Sequence, residues 1–346
     1  MTTPRKDQIP QQKSAYYHCV SRTVRRHFLC GYDENTQCDY EHRRQWIVDR
    51  ISLLSEVFSI EVCAYAVMSN HYHIVLHTNY EDSLTLDAKE VVRRWWQLYP
   101  PKMLKEQTSD DIIAFHLDRL AADEEKVQLW RDRLADLSWF MRCLNESISR
   151  RANKEDECKG HFWESRFKSQ LLLDKAALIT CMAYVDLNPI RAKMAETPET
   201  SDYTSIQNRI EKSKPIQDNH TQQQAVNDKK TIPKLMPFAS SQQQILQRRI
   251  QDNGLTCLPI KQDDYFQLVD WTGRNIKEGK RGAIPKELAP ILQRLEVKPE
   301  QWVDGVQHYG RRFHCVVGLV RNMLDESIKQ GRCWLRGQRM AKLLYQ

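Results

Sequence analysis

Apolar and polar positions first alternate over Ala15–Arg22 (AYYHCVSR), a segment rich in aromatic and β-favouring residues that predicts a strand. From about Glu41 to Phe58 the period changes. Trp46, Ile47, Ile51, Leu54 and Phe58 recur at three-and-four spacing, which predicts a helix with one buried face. Glu61–Val67 (EVCAYAV) and His71–His77 (HYHIVLH) predict two further strands, and the polar turn Met68–Asn70 between them makes the pair a hairpin. Ser83–Asn153 is helical in pattern and highly charged, broken at Pro100-Pro101. Gly160–Leu173 (GHFWESRFKSQLLL) predicts a fourth strand, and Lys175–Asn188 a compact helix stopped by Pro189. This order predicts an α+β fold: a ferredoxin-like antiparallel sheet with helices on one face.

Beyond Tyr203 the pattern dissolves. Ser213–Gln251 holds nine glutamines and few large apolar residues, so residues 213–254 read as a linker. Periodicity returns at Asp264–Arg274 and Phe313–Ile328. The predicted organisation is a flexible tail (1–13), a catalytic-type domain (14–212) with an acidic helical insertion at about 99–137, the linker, and a small, mainly helical C-terminal domain (255–346). With 346 residues, 41% of them hydrophobic, the chain can bury its cores without disulfides or an obligatory metal. Charge separates the two domains. Residues 270–346 carry 15 basic and 8 acidic side chains, whereas residues 1–269 carry 37 of each, so the net +7 falls entirely in the C-terminal quarter. That domain is therefore the expected partner of a polyanion, through Lys280-Arg281, Arg311-Arg312, Arg332, Arg336 and Arg339. The polar N-terminus has no apolar core and no run of 18 apolar residues occurs, so a cytoplasmic protein with no membrane partner is expected. Ten dispersed cysteines without a CxxC pair read as reduced thiols.

His71 and His73 share one strand face with Cα atoms about 6.6 Å apart, so both imidazoles can reach one divalent ion or can simply line a polar face. His77 lies about 13 Å from His73 along the strand, too far to join them. Tyr184 and Asn188 stand one turn apart on the last helix, off the stripe formed by Leu178, Cys181, Met182 and Val185. A nucleophile beside an amide ligand and an ordinary helix end before proline both fit that spacing. In FWESRFKS, Trp163 and Phe167 interleave with Arg166 and Lys168, as where bases stack on rings and cations track phosphates; aromatic core with a solvated charged edge fits equally. His18, Arg22, Arg25 and Arg26 are weaker candidates for substrate contact.

Four blocks, YYHCVSR, AYAVMSNHYHIVLH, GHFWESRFKSQLLL and YVDLNPIRA, occur in that order over about residues 14–210. Together they closely resemble the single-tyrosine HUH transposases, in particular the REP-associated tyrosine transposases. The resemblance implies that His71 and His73 bind a catalytic Mg²⁺ or Mn²⁺ with Asn188 as third protein ligand, and that Tyr184 is the nucleophile. It implies a ferredoxin-like fold and cleavage of single-stranded, hairpin-forming DNA to a 5′-phosphotyrosine and a free 3′-hydroxyl, rejoined without ATP. The residue types suit that chemistry: a phenol leaves more readily than an alkyl alcohol, so the covalent link can be reversed. From the aromatic-basic pattern and local charge, His18, Arg22, Trp163, Arg166, Phe167, Lys168, Arg311 and Arg312 are expected to contact DNA, and the protein to be nucleoid-associated when bound. Loss of the residues after 254 is expected to weaken DNA binding and spare the Tyr184 chemistry. A domesticated processor of chromosomal palindromes and a non-catalytic nucleic-acid-binding regulator remain as alternatives, and monomer and homodimer are both open.

Overall fold

A computed structural model describes residues 9, 13–24, 29–34, 37–105, 109–213, 231–240, 257–278, 285 and 287–345. The main elements run β1 (Ala15–Arg22), α1 (Arg43–Val57), β2 (Ile60–Val67), β3 (His71–Thr78), α2 (Ala88–Leu98), α3 (Asp110–Ala121), α4 (Glu124–Leu134), α5 (Leu137–Glu155), β4 (Lys168–Leu172), α6 (Lys175–Asp186) and α7 (Asn188–Arg191). They continue with α8 (Ser205–Ser213), α9 (Gln262–Glu278), α10 (Trp302–Gln307), α11 (Tyr309–Arg312), β5 (Val316–Val317), α12 (Val320–Lys329) and α13 (Gln338–Leu344). Five strands form one sheet in the order β2-β3-β1-β4-β5, and the fold is α+β. Every pair but the last is antiparallel; β4 and β5 run parallel, Leu171 opposite Val316.

Alternation along the strands sorts side chains between two cores. Tyr17, Cys19, Tyr72, Ile74 and Leu76 point to one side, where α1, α2 and α5 cover them. Tyr16, Val75 and Leu172 point to the other, where α6 lies. Helices thus cover both faces of the sheet rather than one. The acidic insertion belongs to the first side: Trp95 of α2 stacks on Trp130 of α4 at 5.7 Å, and Leu117, Val127 and Leu134 join that core.

The C-terminal residues do not form the separate module that the glutamine-rich gap suggests. Every residue from Ala176 to Asp186 on α6 is buried, and a helix apolar all round needs a second covering layer. That layer is the C-terminal chain: Tyr265, Leu268, Trp302, Val306, Tyr309, Phe313 and Leu344 share one apolar cluster with α6. Polar contacts join the two layers. Asp174 caps α6 by accepting from the Ala177 N–H at 2.9 Å, while its other oxygen accepts from the Leu319 N–H and from Asn322. Asp186 accepts from Tyr265 Oη at 2.5 Å and from Ser205 Oγ at 2.5 Å. Loss of the residues after 254 would therefore uncover the helix that carries Tyr184, contrary to the expectation that its chemistry would be spared. Within the expected linker, residues 231–240 dock on the outer edge of β2, where the Met236 N–H donates to the Val62 carbonyl at 2.8 Å and satisfies a sheet edge. Arg25, Arg26, Lys280, Arg281 and most of the glutamine-rich stretch lie outside the described residues. Among the described residues no helix is long and apolar enough to cross a membrane.

Candidate functional site

Strand register brings the chemistry together. β1 pairs with β3 so that His71 lies opposite Arg22 and His73 opposite Val20, and β4 places Gln170 opposite His18. His18, His71, His73 and Gln170 therefore share the face toward α6. The imidazoles of His71 and His73 are 4.9 Å apart, and His18 stacks on His73 at 5.1 Å. His77 is elsewhere, stacked on Tyr16 and hydrogen-bonded to Glu61, as its distance along the strand predicts.

Partners dictate which nitrogens carry protons. The Asn70 side-chain oxygen lies 2.6 Å from His71 Nδ1; an amide oxygen only accepts, so Nδ1 holds the hydrogen and Nε2 keeps a lone pair. A longer chain governs His73. The Gln170 amide nitrogen donates to the Phe313 carbonyl at 3.1 Å, which turns its oxygen to His18 Nδ1 at 2.6 Å. His18 Nδ1 then donates, leaving Nε2 to accept from His73 Nδ1 at 2.8 Å. His73 Nε2 is left bare and buried, with no hydrogen-bond partner. Burial pushes His18 and His71 down to about 4 and His73 well below the usual histidine value, with neighbouring cations and rings adding to the effect on His71 and His73. All three rings are therefore neutral near pH 7, the state in which imidazole ligates metals.

Tyr184 meets this cluster edge-on, its ring 5.4 Å from that of His73 and 5.9 Å from that of His18. It is only 7% exposed, and its ring lies 5.0 Å from Tyr309, a C-terminal residue. The Arg191 guanidinium sits 4.5 Å from the ring centre. Asn188 is buried, its oxygen 3.5 Å from an Arg191 nitrogen and its amide nitrogen without a partner. A half-turn of that amide would exchange its oxygen and nitrogen; a neutral imidazole nitrogen and an amide oxygen are both donor types that divalent cations accept. Among the described residues no group of three or more His, Cys, Asp and Glu is arranged to hold a metal.

A cleft of about 1130 Å³ opens on Tyr184. Arg22, Arg191, Lys193, Lys277 and Arg311 line it, against one carboxylate, Glu196, which pairs with Lys277 at 3.4 Å. A second cavity, of about 350 Å³, lies beside Thr78 at the far end of β3, away from Tyr184 and the His71-His73 pair.

The expected contact residues divide accordingly. Arg22 and Arg311 line the cleft. Lys168 and Arg166 are exposed, Lys168 beginning β4 opposite Val20. His18 is buried beneath the histidine pair, so it supports His73 instead of meeting a substrate. Phe167 is buried in the core of the opposite face, because strand alternation separates it from Lys168. Trp163 also packs there, donating Nε1–H to the Asn145 carbonyl at 2.9 Å and meeting Tyr72 edge-on. Arg312 directs its guanidinium to Asp304 instead of to the cleft. Sequence reasoning missed Gln170, Asn70, Arg191, Lys193, Lys277 and Gly310. Of these, Arg191 was the most visible, standing one turn after Leu187 in the quoted block YVDLNPIRA.

No protein-family model and no curated protein matches the chain. Among solved structures it is similar to one described as a REP-associated tyrosine transposase bound to a REP hairpin, with a TM-score of 0.36 and 11% identity over 61% of this chain and 86% of that one.

Proposed function

We propose that the protein is a single-tyrosine DNA strand transferase that cleaves and rejoins single-stranded, hairpin-forming DNA through Tyr184. The observation that carries this reading is the placement of Tyr184 against His73, whose Nε2 is buried without a partner, on the wall of a cation-lined cleft. The positive lining of the cleft suits a phosphodiester strand; Arg22, Arg191 and Arg311 would hold phosphate oxygens while leaving the bases unread. Tyr184 Oη attacks phosphorus, the P–O3′ bond breaks, and the phenol proton leaves as the departing 3′-oxygen gains one. The product is a 5′-phosphotyrosine and a free 3′-hydroxyl. Attack by a 3′-hydroxyl on the same phosphorus restores the phosphodiester and the phenol, with no net change in bond type and no need for ATP. A divalent ion, Mg²⁺ or Mn²⁺, bound by His71, His73 and Asn188 would neutralise charge on the non-bridging oxygens. Arg191, 4.5 Å from the centre of the Tyr184 ring, would add a cation beside the nucleophile.

The test uses the full chain, a panel of labelled single-stranded hairpins and Mn²⁺. A covalent protein–DNA band is expected from the wild type and absent from Tyr184→Phe and from His71→Ala, with noncovalent binding kept by Tyr184→Phe. Binding without any adduct would overturn the reading in favour of a non-catalytic nucleic-acid-binding regulator. Cleavage that survives Tyr184→Phe would overturn it in favour of direct hydrolysis.

A further inference from the structure

Gly310 lies in the short helix α11 with an ordinary backbone conformation, so no left-handed turn requires glycine there, and alanine is the better helix former. Its reason lies across the interface. A Cβ built on Gly310 would stand 2.6 Å from Tyr184 Oη and 3.3 Å from Cζ, inside contact distance. The phenol has no easy retreat. Its ring is held by Tyr309 at 5.0 Å, by the edge of His73 at 5.4 Å and by the Arg191 guanidinium at 4.5 Å. Tyr184, Gly310 and Arg311 also line the same cleft, so the missing side chain is both the seat of the hydroxyl and part of the opening by which a phosphate would reach it.

From this we infer that Gly310 is a positioning residue for the nucleophile, supplied more than a hundred residues away by the C-terminal chain, and that any side chain there turns the phenol out of line with the bound strand. The inference rests on Tyr184 being the nucleophile. It also makes the C-terminal layer part of the reaction site, because a short segment of it, Tyr309–Arg311, holds the ring, accommodates the hydroxyl and adds a cation to the cleft.

Full-length Gly310→Ala and Gly310→Ser are compared with the wild type in single-turnover adduct formation over a range of hairpin DNA concentrations. The maximal rate is expected to fall by about 100-fold, the scale of a misplacement of about 1 Å, while the half-saturating DNA concentration stays within about threefold. The melting temperature of Gly310→Ala is expected to be unchanged or lower by a few degrees, since the helix accepts alanine but the added Cβ crowds a packed ring. A readout without DNA accompanies this: with 3-fluorotyrosine incorporated, the ¹⁹F resonance assigned by its loss in Tyr184→Phe should shift in Gly310→Ala. An unshifted resonance, or a wild-type maximal rate in Gly310→Ala, would overturn the inference. Absence of an adduct from the wild type itself would overturn the functional reading on which it rests, so the two failures are separate results.

Discussion

The two faces of β3 differ as sharply as any two regions of the molecule. Tyr72, Ile74 and Leu76 enter an apolar core, where Tyr72 Oη donates to Asn145 at 2.7 Å. His71, His73 and His77 alternate with them and enter the opposite layer. That layer is no solvated surface, since His73 is 4% exposed and α6 and the C-terminal chain cover it. Alternation of polar and apolar residues is the usual signature of a strand with one wet face. Here the polar face is buried, and buried polar groups with orphaned atoms are expensive unless they serve binding or chemistry. One face is an apolar core; the other buries histidines and, under the proposed function, serves ligation.

The largest contrast should appear in a pair of adjacent substitutions. Ile74→Ala is expected to lower unfolding free energy by about 2–5 kcal/mol, the range for large-to-small changes in a well-packed core, and to leave Mn²⁺ affinity intact in the folded fraction. His73→Leu should change stability by only about 1 kcal/mol, because it removes one orphaned nitrogen and creates another at His18 Nε2. It should nevertheless abolish Mn²⁺ binding. Urea unfolding and calorimetric Mn²⁺ titration of both variants check this, and equal stability losses would remove the distinction between the faces.

His18→Phe is a finer probe. It keeps a ring in the stack but frees His73 Nδ1–H from its acceptor, so Mn²⁺ affinity should fall by about 10–100-fold, the usual effect of removing a group that orients a metal ligand. An affinity equal to wild type in a folded variant would show that the Gln170–His18–His73 chain is packing alone.

The smallest effect is on pH dependence. His18 and His71 stand near 4 in the folded protein, below the value of about 6.5 for a free imidazole. As pH falls from about 6.5 towards 4 the unfolded chain takes up protons that the folded chain refuses, so these groups lower stability across that window and add no further loss below it. Melting temperature should therefore decline by a few degrees between pH 7 and pH 5, and less steeply in His71→Gln. Parallel curves for the two proteins would contradict that assignment.

Much of this was legible in the sequence because the signals are local. Period-two alternation marked β1, β2 and β3, and the spacing of His71 and His73 put both on one face. Tyr184 and Asn188 emerged from one helix and its end. What escaped depends on long-range pairing. Nothing near Gly310 in sequence shows that a phenol from residue 184 fills the place of its side chain, and Gln170 owes its orientation to the Phe313 carbonyl. One available signal went unused: α6 is apolar on every side, which already demanded a second covering layer. For Phe167 the second of the two readings of the basic-aromatic pattern holds, aromatic core beside an exposed charged edge, because the pleat divides Phe167 and Lys168 between two faces.

The central proposal is that the histidine-bearing face of the sheet serves one nucleophile, Tyr184. Its most direct test is peptide mapping of the protein after reaction with hairpin DNA and Mn²⁺, followed by nuclease digestion. The account predicts a nucleotide mass on the peptide containing Tyr184, with fragment ions placing it on that residue. A nucleotide on any other tyrosine, or none on any peptide of a protein that has cleaved its DNA, would contradict it.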